Sequence, residues 1–222
     1  MVSNNVRLLV FICLFIGLSA SMSAAMYRFE AILTPEAVVP GSPIDDPAGI
    51  STASGVAELL LTTGGLDGPT LAYTLSLNGI DFSETVPRPT LSGPDDLSRA
   101  VHIHFGAAGE NDVHALNVYG FPREDDDDLL VNASNSSLSG LWDDGDLDFG
   151  SDGSRGPGDS VPLSDAIDAL FAGELYFQVH TFAFRAGEIR GQITQVPEPG
   201  KTVMVIAVAA FTAVAFLRRK WR

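Results

Sequence analysis

A period of two constrains this chain of 222 residues more than any other feature. In "MYRFEAIL" Tyr27, Phe29, Ala31 and Leu33 alternate with Arg28 and Glu30. In "TLAYTLSL" Leu71, Tyr73, Leu75 and Leu77 share one side. Successive side chains of a strand point to opposite faces, so both segments read as strands with one apolar face. "GVAELLLTT" (55–63), "RAVHIHF" (99–105), "VHALNVY" (113–119), "LYFQVHTF" (175–182) and "GEIRGQIT" (187–194) read the same way, giving about seven strands. Residues 34–54 and 84–98 are rich in proline and read as loops. Residues 120–160 are acidic and read as irregular surface. "LSDAIDALFAG" (163–173) changes period. Ile167, Leu170 and Phe171 fall on one helical face, with Ser164 as N-cap and Gly173 as the stop. The expectation is an all-β fold, an antiparallel Ig-like or dismutase-like β-sandwich or barrel with one short helix.

The ends read as processing segments. Arg7 precedes an apolar run from Leu8 to Ala20, and Ser23-Ala24-Ala25 offers a cleavage site, so residues 1–25 read as a signal peptide. Cys13, the single cysteine, lies inside it, so the mature domain at 26–195 has no disulfide and no thiolate ligand. Residues 26–196 carry 27 acidic and 7 basic side chains, a balance that excludes a nucleic-acid partner, because phosphates need a basic footprint.

Residues 196–222 form a third segment. Thr202 to Leu217 is uncharged, and Arg218, Arg219, Lys220 and Arg222 follow. A helix over 202–217 reads as a membrane span whose basic end stays cytoplasmic. With Pro197-Glu198-Pro199 in front, the tail resembles the PEP-CTERM sorting signal of Gram-negative bacteria. That resemblance implies recognition by an exosortase-type membrane protease. It also implies release to the cell surface or an extracellular matrix, where exopolysaccharide or surface proteins would be partners.

"AVHIHFGAAGEN" and "AGELYFQVHTFAFRAGEIRGQI" resemble the CHRD domain, a module of the animal developmental protein chordin and of many bacterial exported proteins. The resemblance spans residues 27–195. It implies an Ig-like sandwich with limited similarity to copper–zinc superoxide dismutase. "HIHFG" resembles that enzyme's His-x-His-x-Phe-Gly copper strand, but the other ligand segments do not align and its disulfide has no counterpart.

Two readings of the histidines stand. His102 and His104 are two apart on one strand face, and His180 lies on a later strand, with His114 as a fourth candidate. Imidazoles in this number suit copper or zinc. Alternatively they line a polar edge and bond to backbone carbonyls or to Glu188 and Arg190, and the sequence leans to this structural reading. Glu188 and Arg190 face the same way and are expected to form a cross-strand ion pair, with Ile189 and Ile193 in the core. Asp144, Asp146 and Asp148 form Asp-x-Asp-x-Asp, a spacing that suits calcium outside an EF-hand. No Gly-x-Ser-x-Gly elbow, P-loop or dinucleotide fingerprint occurs, so no catalytic residue and no required cofactor is assigned. The expected function is an exported surface or matrix module that acts by binding or scaffolding and is not an enzyme. The alternative is a copper or zinc protein, or a dismutase-like metalloenzyme, using His102, His104 and His180.

The tail reading makes one prediction. Mass spectrometry of the exported form should find no peptide from Phe211–Arg222; recovery of such peptides from the surface fraction would refute processing.

Overall fold

A computed structural model of the chain describes residues 24–40, 51–65, 68–83, 98–147, 156 and 158–197. Residues 1–23 of the expected signal segment, the expected span at 202–217, Glu198, Pro199, the basic end and Asp148 lie outside these residues, and Ala25 opens the first strand. Among the described residues no helix is long and apolar enough to cross a membrane.

The chain forms two antiparallel sheets. Strands are β1 (Ala25–Leu33), β2 (Ser54–Gly65), β3 (Gly68–Asn78), β4 (Ser98–Phe105), β5 (His114–Gly120), β6 (Leu130–Asn132), β7 (Ser137–Trp142), β8 (Leu175–Thr181), β9 (Ile189–Gln192) and β10 (Thr194–Gln195). One sheet has the order β10-β1-β2-β3-β7-β6, the other β5-β4-β8-β9. Neither closes into a barrel. They meet at one corner, where Thr34 and Arg190 exchange backbone hydrogen bonds of 2.9 and 3.1 Å. There Gly191 approaches β1 so closely that a Cβ would lie 2.6 Å from the Ile32 carbonyl oxygen. The final hairpin segment, read as one strand, therefore breaks at buried Ile193 and passes from one sheet to the other.

The apolar residues of the alternating segments form the core. Phe29, Leu33, Leu61, Leu71 and Leu75 meet Val101, Ile103, Phe177, Val179 and Ile189 between the sheets. The helix α1 (Leu163–Ala172) buries Leu163, Ala166 and Leu170. Ile167 and Phe171, expected on its apolar face, are respectively half-buried and exposed, and Phe171 packs edge-on against Tyr27 and Phe29. Pro162, not Ser164, is the N-cap residue. The cap comes from outside the helix: Asp144 Oδ1 accepts the Ser164 N–H at 2.7 Å.

The acidic segment 120–160 is not irregular throughout. It contributes β6 and β7, and β7 pairs with β3 and buries Leu138 and Trp142. This edge holds a buried acidic cluster. Tyr73 donates a hydrogen bond to Asp126 across Gly140, where any Cβ would collide with both groups. Asp146 accepts the backbone N–H of Asp143 at 2.7 Å and that of Asp127 at 3.4 Å. Burial raises the Asp126 carboxyl and, with Asp126 and Asp143 nearby, pushes Asp146 up to about 7 from 3.8.

A carboxyl raised in the fold stabilises when protonated, so this contribution is present below pH 3.8 and is lost as pH rises through 7. Replacing Asp146→Asn removes that titration. Thermal unfolding of the two proteins should therefore diverge with pH, the variant gaining on the parent steadily from pH 4 to pH 8. A constant difference would refute it.

Candidate metal centre

The four-stranded sheet has no solvated face. One face packs on the core; the other carries His102, His104, Tyr176, Gln178, His180, Arg190 and Gln192. The ladder fixes this: His102 lies opposite Gln178, His104 opposite Tyr176, and Gln178 opposite Arg190. Residues opposite each other point to the same side. Of these, His102, His104, Tyr176, Gln178 and Arg190 are buried.

His180 lies opposite Ala100, one step along from the His102 position. Diagonal neighbours across a ladder are within reach of large side chains, and ring centroids stand 5.4 Å apart for His102–His104, 5.2 Å for His102–His180 and 6.4 Å for His104–His180. One nitrogen of each ring lies within 4.8 Å of one nitrogen of both others. The second nitrogens point outward to loops. His102 Nε2 meets the Phe121 carbonyl at 3.0 Å, His104 Nδ1 the Asp112 carbonyl at 3.0 Å, and His180 Nδ1 the Arg185 carbonyl at 2.9 Å.

A carbonyl only accepts, so each of these nitrogens carries the proton and donates. The tautomers are thereby fixed, and a lone pair is left on His102 Nδ1, His104 Nε2 and His180 Nε2. These are the three buried ring nitrogens that have no hydrogen-bond partner. Burial is the largest cause holding the rings neutral. It takes His102 well below 6.5, His104 to about 3 and His180 to about 4, with the neighbouring histidines adding to it.

His114 packs on His102 and His104, with centroids at 4.0 and 4.5 Å. Its Nδ1 is drawn aside to Asn117 Oδ1 at 2.6 Å, and it is not one of the convergent three. Asn117 is itself held by Asp125 and the Gly158 carbonyl.

Glu188 and Arg190 do not form the expected pair. Glu188 accepts hydrogen bonds from Ser51 and Thr181, each at 2.6 Å. Arg190 stacks on Tyr176, 3.4 Å from the ring centroid, and donates to Asn111, the Ala107 carbonyl and Gln192. Tyr176 lies flat on His104, with centroids at 5.0 Å and an angle of 5° between planes. Arginine, tyrosine and imidazole thus form one stack behind the convergent nitrogens. Glu188 and Arg190 do not bond to the histidines either. Asp144 and Asp146, the candidate calcium ligands, are engaged with backbone N–H groups as described above. The tyrosine and arginine roles carried no signal in the sequence beyond the alternation that puts Tyr176 and His180 on one face.

Three neutral imidazoles around an ion need Zn–N bonds of ~2.0–2.1 Å. In tetrahedral geometry the nitrogens would then stand roughly 3.4 Å apart, which small ring rotations reach from the present separation.

The loop that holds His180 depends on Gly187, at φ +126°, where a Cβ would collide with Gln178. Gln178 in turn donates to the Ala186 carbonyl at 2.6 Å. Gly187→Ala should lower stability by about 1–3 kcal/mol in urea unfolding. Gly109→Ala, at φ +87° but in open space, should cost less. Equal losses would refute the packing argument.

The CHRD domain family model matches residues 29–193, most of the chain. No curated protein matches the chain, and no solved structure matches it.

Proposed function

We propose, from the premise that the chain belongs to the CHRD-domain family, that it is an exported module whose four-stranded sheet holds one copper or zinc ion on His102, His104 and His180. One observation carries the reading. Each ring gives one nitrogen to a backbone carbonyl and keeps the other buried and without a partner, and each ring brings a nitrogen within 4.8 Å of one nitrogen of both others. A second hydrogen bond that fixes the tautomer is how proteins prepare a metal-ligating histidine. A purely structural histidine has no reason to leave a buried acceptor bare, since an unmade bond of that kind costs about 1–3 kcal/mol.

The sorting segments complete the reading. The signal at 1–25 takes the domain across the inner membrane. The span at 202–217 holds it there, and an exosortase-type protease acting near Pro197-Glu198-Pro199 releases it to the surface or the matrix. A bound ion of this kind supplies a Lewis acid or, for copper, a one-electron couple. The chain's own contribution is to orient three rings, keep them neutral and exclude water. That serves a metal-binding surface module without requiring catalysis. A dismutase-like enzyme is the second reading, and redox turnover by the copper-loaded protein decides between the two.

Metal analysis of the exported protein should give one copper or zinc per chain. Exchanging His102 and His104 for alanine should abolish uptake. It should also remove the thermal stabilisation by metal, which mass action sets at about 2.7 kcal/mol when free metal is 100 times Kd. Equal destabilisation by the double change with metal and with chelator would refute the metal reading and leave a structural one.

A further inference from the structure

We propose that the three-histidine site selects monovalent copper, Cu(I), over divalent zinc or copper. The inference rests on the reading above that His102, His104 and His180 bind an ion, and it names which ion.

Coordination number is the first argument. The convergent nitrogens number three, and all three are buried. Among the described residues no carboxylate belongs to the convergent group, and His114 offers no nitrogen within the same span. Its Nδ1 is engaged by Asn117, which is fixed by Asp125 and Gly158. Zinc takes four ligands, in open sites completing the set with water. Divalent copper prefers a tetragonal arrangement. A closed-shell Cu(I) ion is content with three nitrogens in a plane and needs no water, which suits nitrogens that solvent does not reach.

Charge is the second argument. The ligands are three neutral rings with their protons fixed on backbone carbonyls, so they bring no negative charge. The Arg190 guanidinium stands behind His104 through Tyr176, and among the described residues no carboxylate is within ion-pair distance of it. Arg99 bears on His180 from the other side, stacked 4.3 Å over Phe121, whose carbonyl receives the His102 proton. Asp125 bears on His114. An ion placed here keeps its whole charge in a dry setting beside arginine. Desolvation cost rises with the square of the charge, so a divalent ion meets about four times the penalty of a monovalent one. Repulsion from arginine doubles with the charge as well. Both terms favour Cu(I).

The test uses the exported protein, stripped with chelator and titrated without oxygen. Cu(I) is supplied against bicinchoninate, and Zn(II) and Cu(II) against chromophoric chelators. The expected result is one Cu(I) per chain, bound at least 100-fold more tightly than either divalent ion, with no paramagnetic resonance signal and three nitrogen neighbours in X-ray absorption. Zinc or Cu(II) bound as tightly as Cu(I), or a metal with four or more neighbours, overturns the selectivity while leaving the metal reading intact. Absence of binding by all three ions overturns both.

Arg190→Gln removes the charge behind His104. It should move the ratio of monovalent to divalent affinity toward the divalent ions by about 20- to 30-fold, as a unit charge some 8–9 Å away acts at an effective dielectric constant of about 20. Arg190→Lys keeps a charge and should restore most of the ratio. Arg99→Gln, on a half-buried side chain at the other end of the cluster, should shift the ratio in the same direction and does not disturb the Arg190 hydrogen bonds. Unchanged ratios in both glutamine variants would overturn the electrostatic argument.

Discussion

The second face of the four-stranded sheet is covered by protein and yet polar, and the arrangement of the loops follows from that. A buried polar group without a partner is costly, so each side chain on this face must find one. The strand ladder already uses the backbone of β4 and β8. Partners must therefore come from connecting segments. The carbonyls of Asp112, Phe121 and Arg185 come from three different connections and each receives one histidine proton. Arg190 and Gln192 pin the segment after β4 by donating to the Ala107 and Gly106 carbonyls. The histidines place the loops, and the loops decide which histidine nitrogen remains bare.

The acidic cluster at the other sheet's edge shows why the bare nitrogens point to function. Asp126 and Asp146 are also buried, and their raised carboxyls reflect an environment unfavourable to charge. Yet their oxygens are satisfied by Tyr73 and by the backbone N–H groups of Asp128, Asp127 and Asp143. The same chain closes one buried polar cluster on itself and leaves another open at three neighbouring ring nitrogens. Structural necessity explains the first. It does not explain the second, because a leucine in place of an imidazole would leave no unpaired acceptor.

Alternation made the strands legible. Each apolar face read from the sequence is a core face, and the two-residue spacing of His102 and His104 survives two register shifts between β4 and β5. Strands β6 and β7 were hidden because aspartates flank them and because Leu138 and Trp142 are four apart, leaving Gly140 between them as a gap in the pattern. The N-cap of α1 was hidden because Asp144 is twenty residues away from the amide it accepts. Arg190 was read as an ion-pair partner because charge is what the sequence displays; its stacking on Tyr176 depends on a cross-strand register that no local pattern encodes. The convergence of His180 with the β4 pair likewise needed the β4–β8 ladder, although the face it would occupy was readable.

An ion at this site would not be a staple. Residues 26–195 contain no cysteine, which invites the idea that a metal replaces a disulfide, but the geometry argues otherwise. The ligands lie on β4 and β8, which are already neighbours along a full ladder, so an ion there closes no new long loop. The core between the sheets is continuous and does not pass through the histidines. What binding would remove is the penalty of three bare acceptors, on rings whose tautomers and positions are set beforehand. Preorganisation of that kind puts the free energy of folding into the site before the ion arrives, and a rigid site discriminates between ions more sharply than one that folds around them. On the proposed reading, selectivity rather than stability is what an ion site on this face of the sheet would deliver.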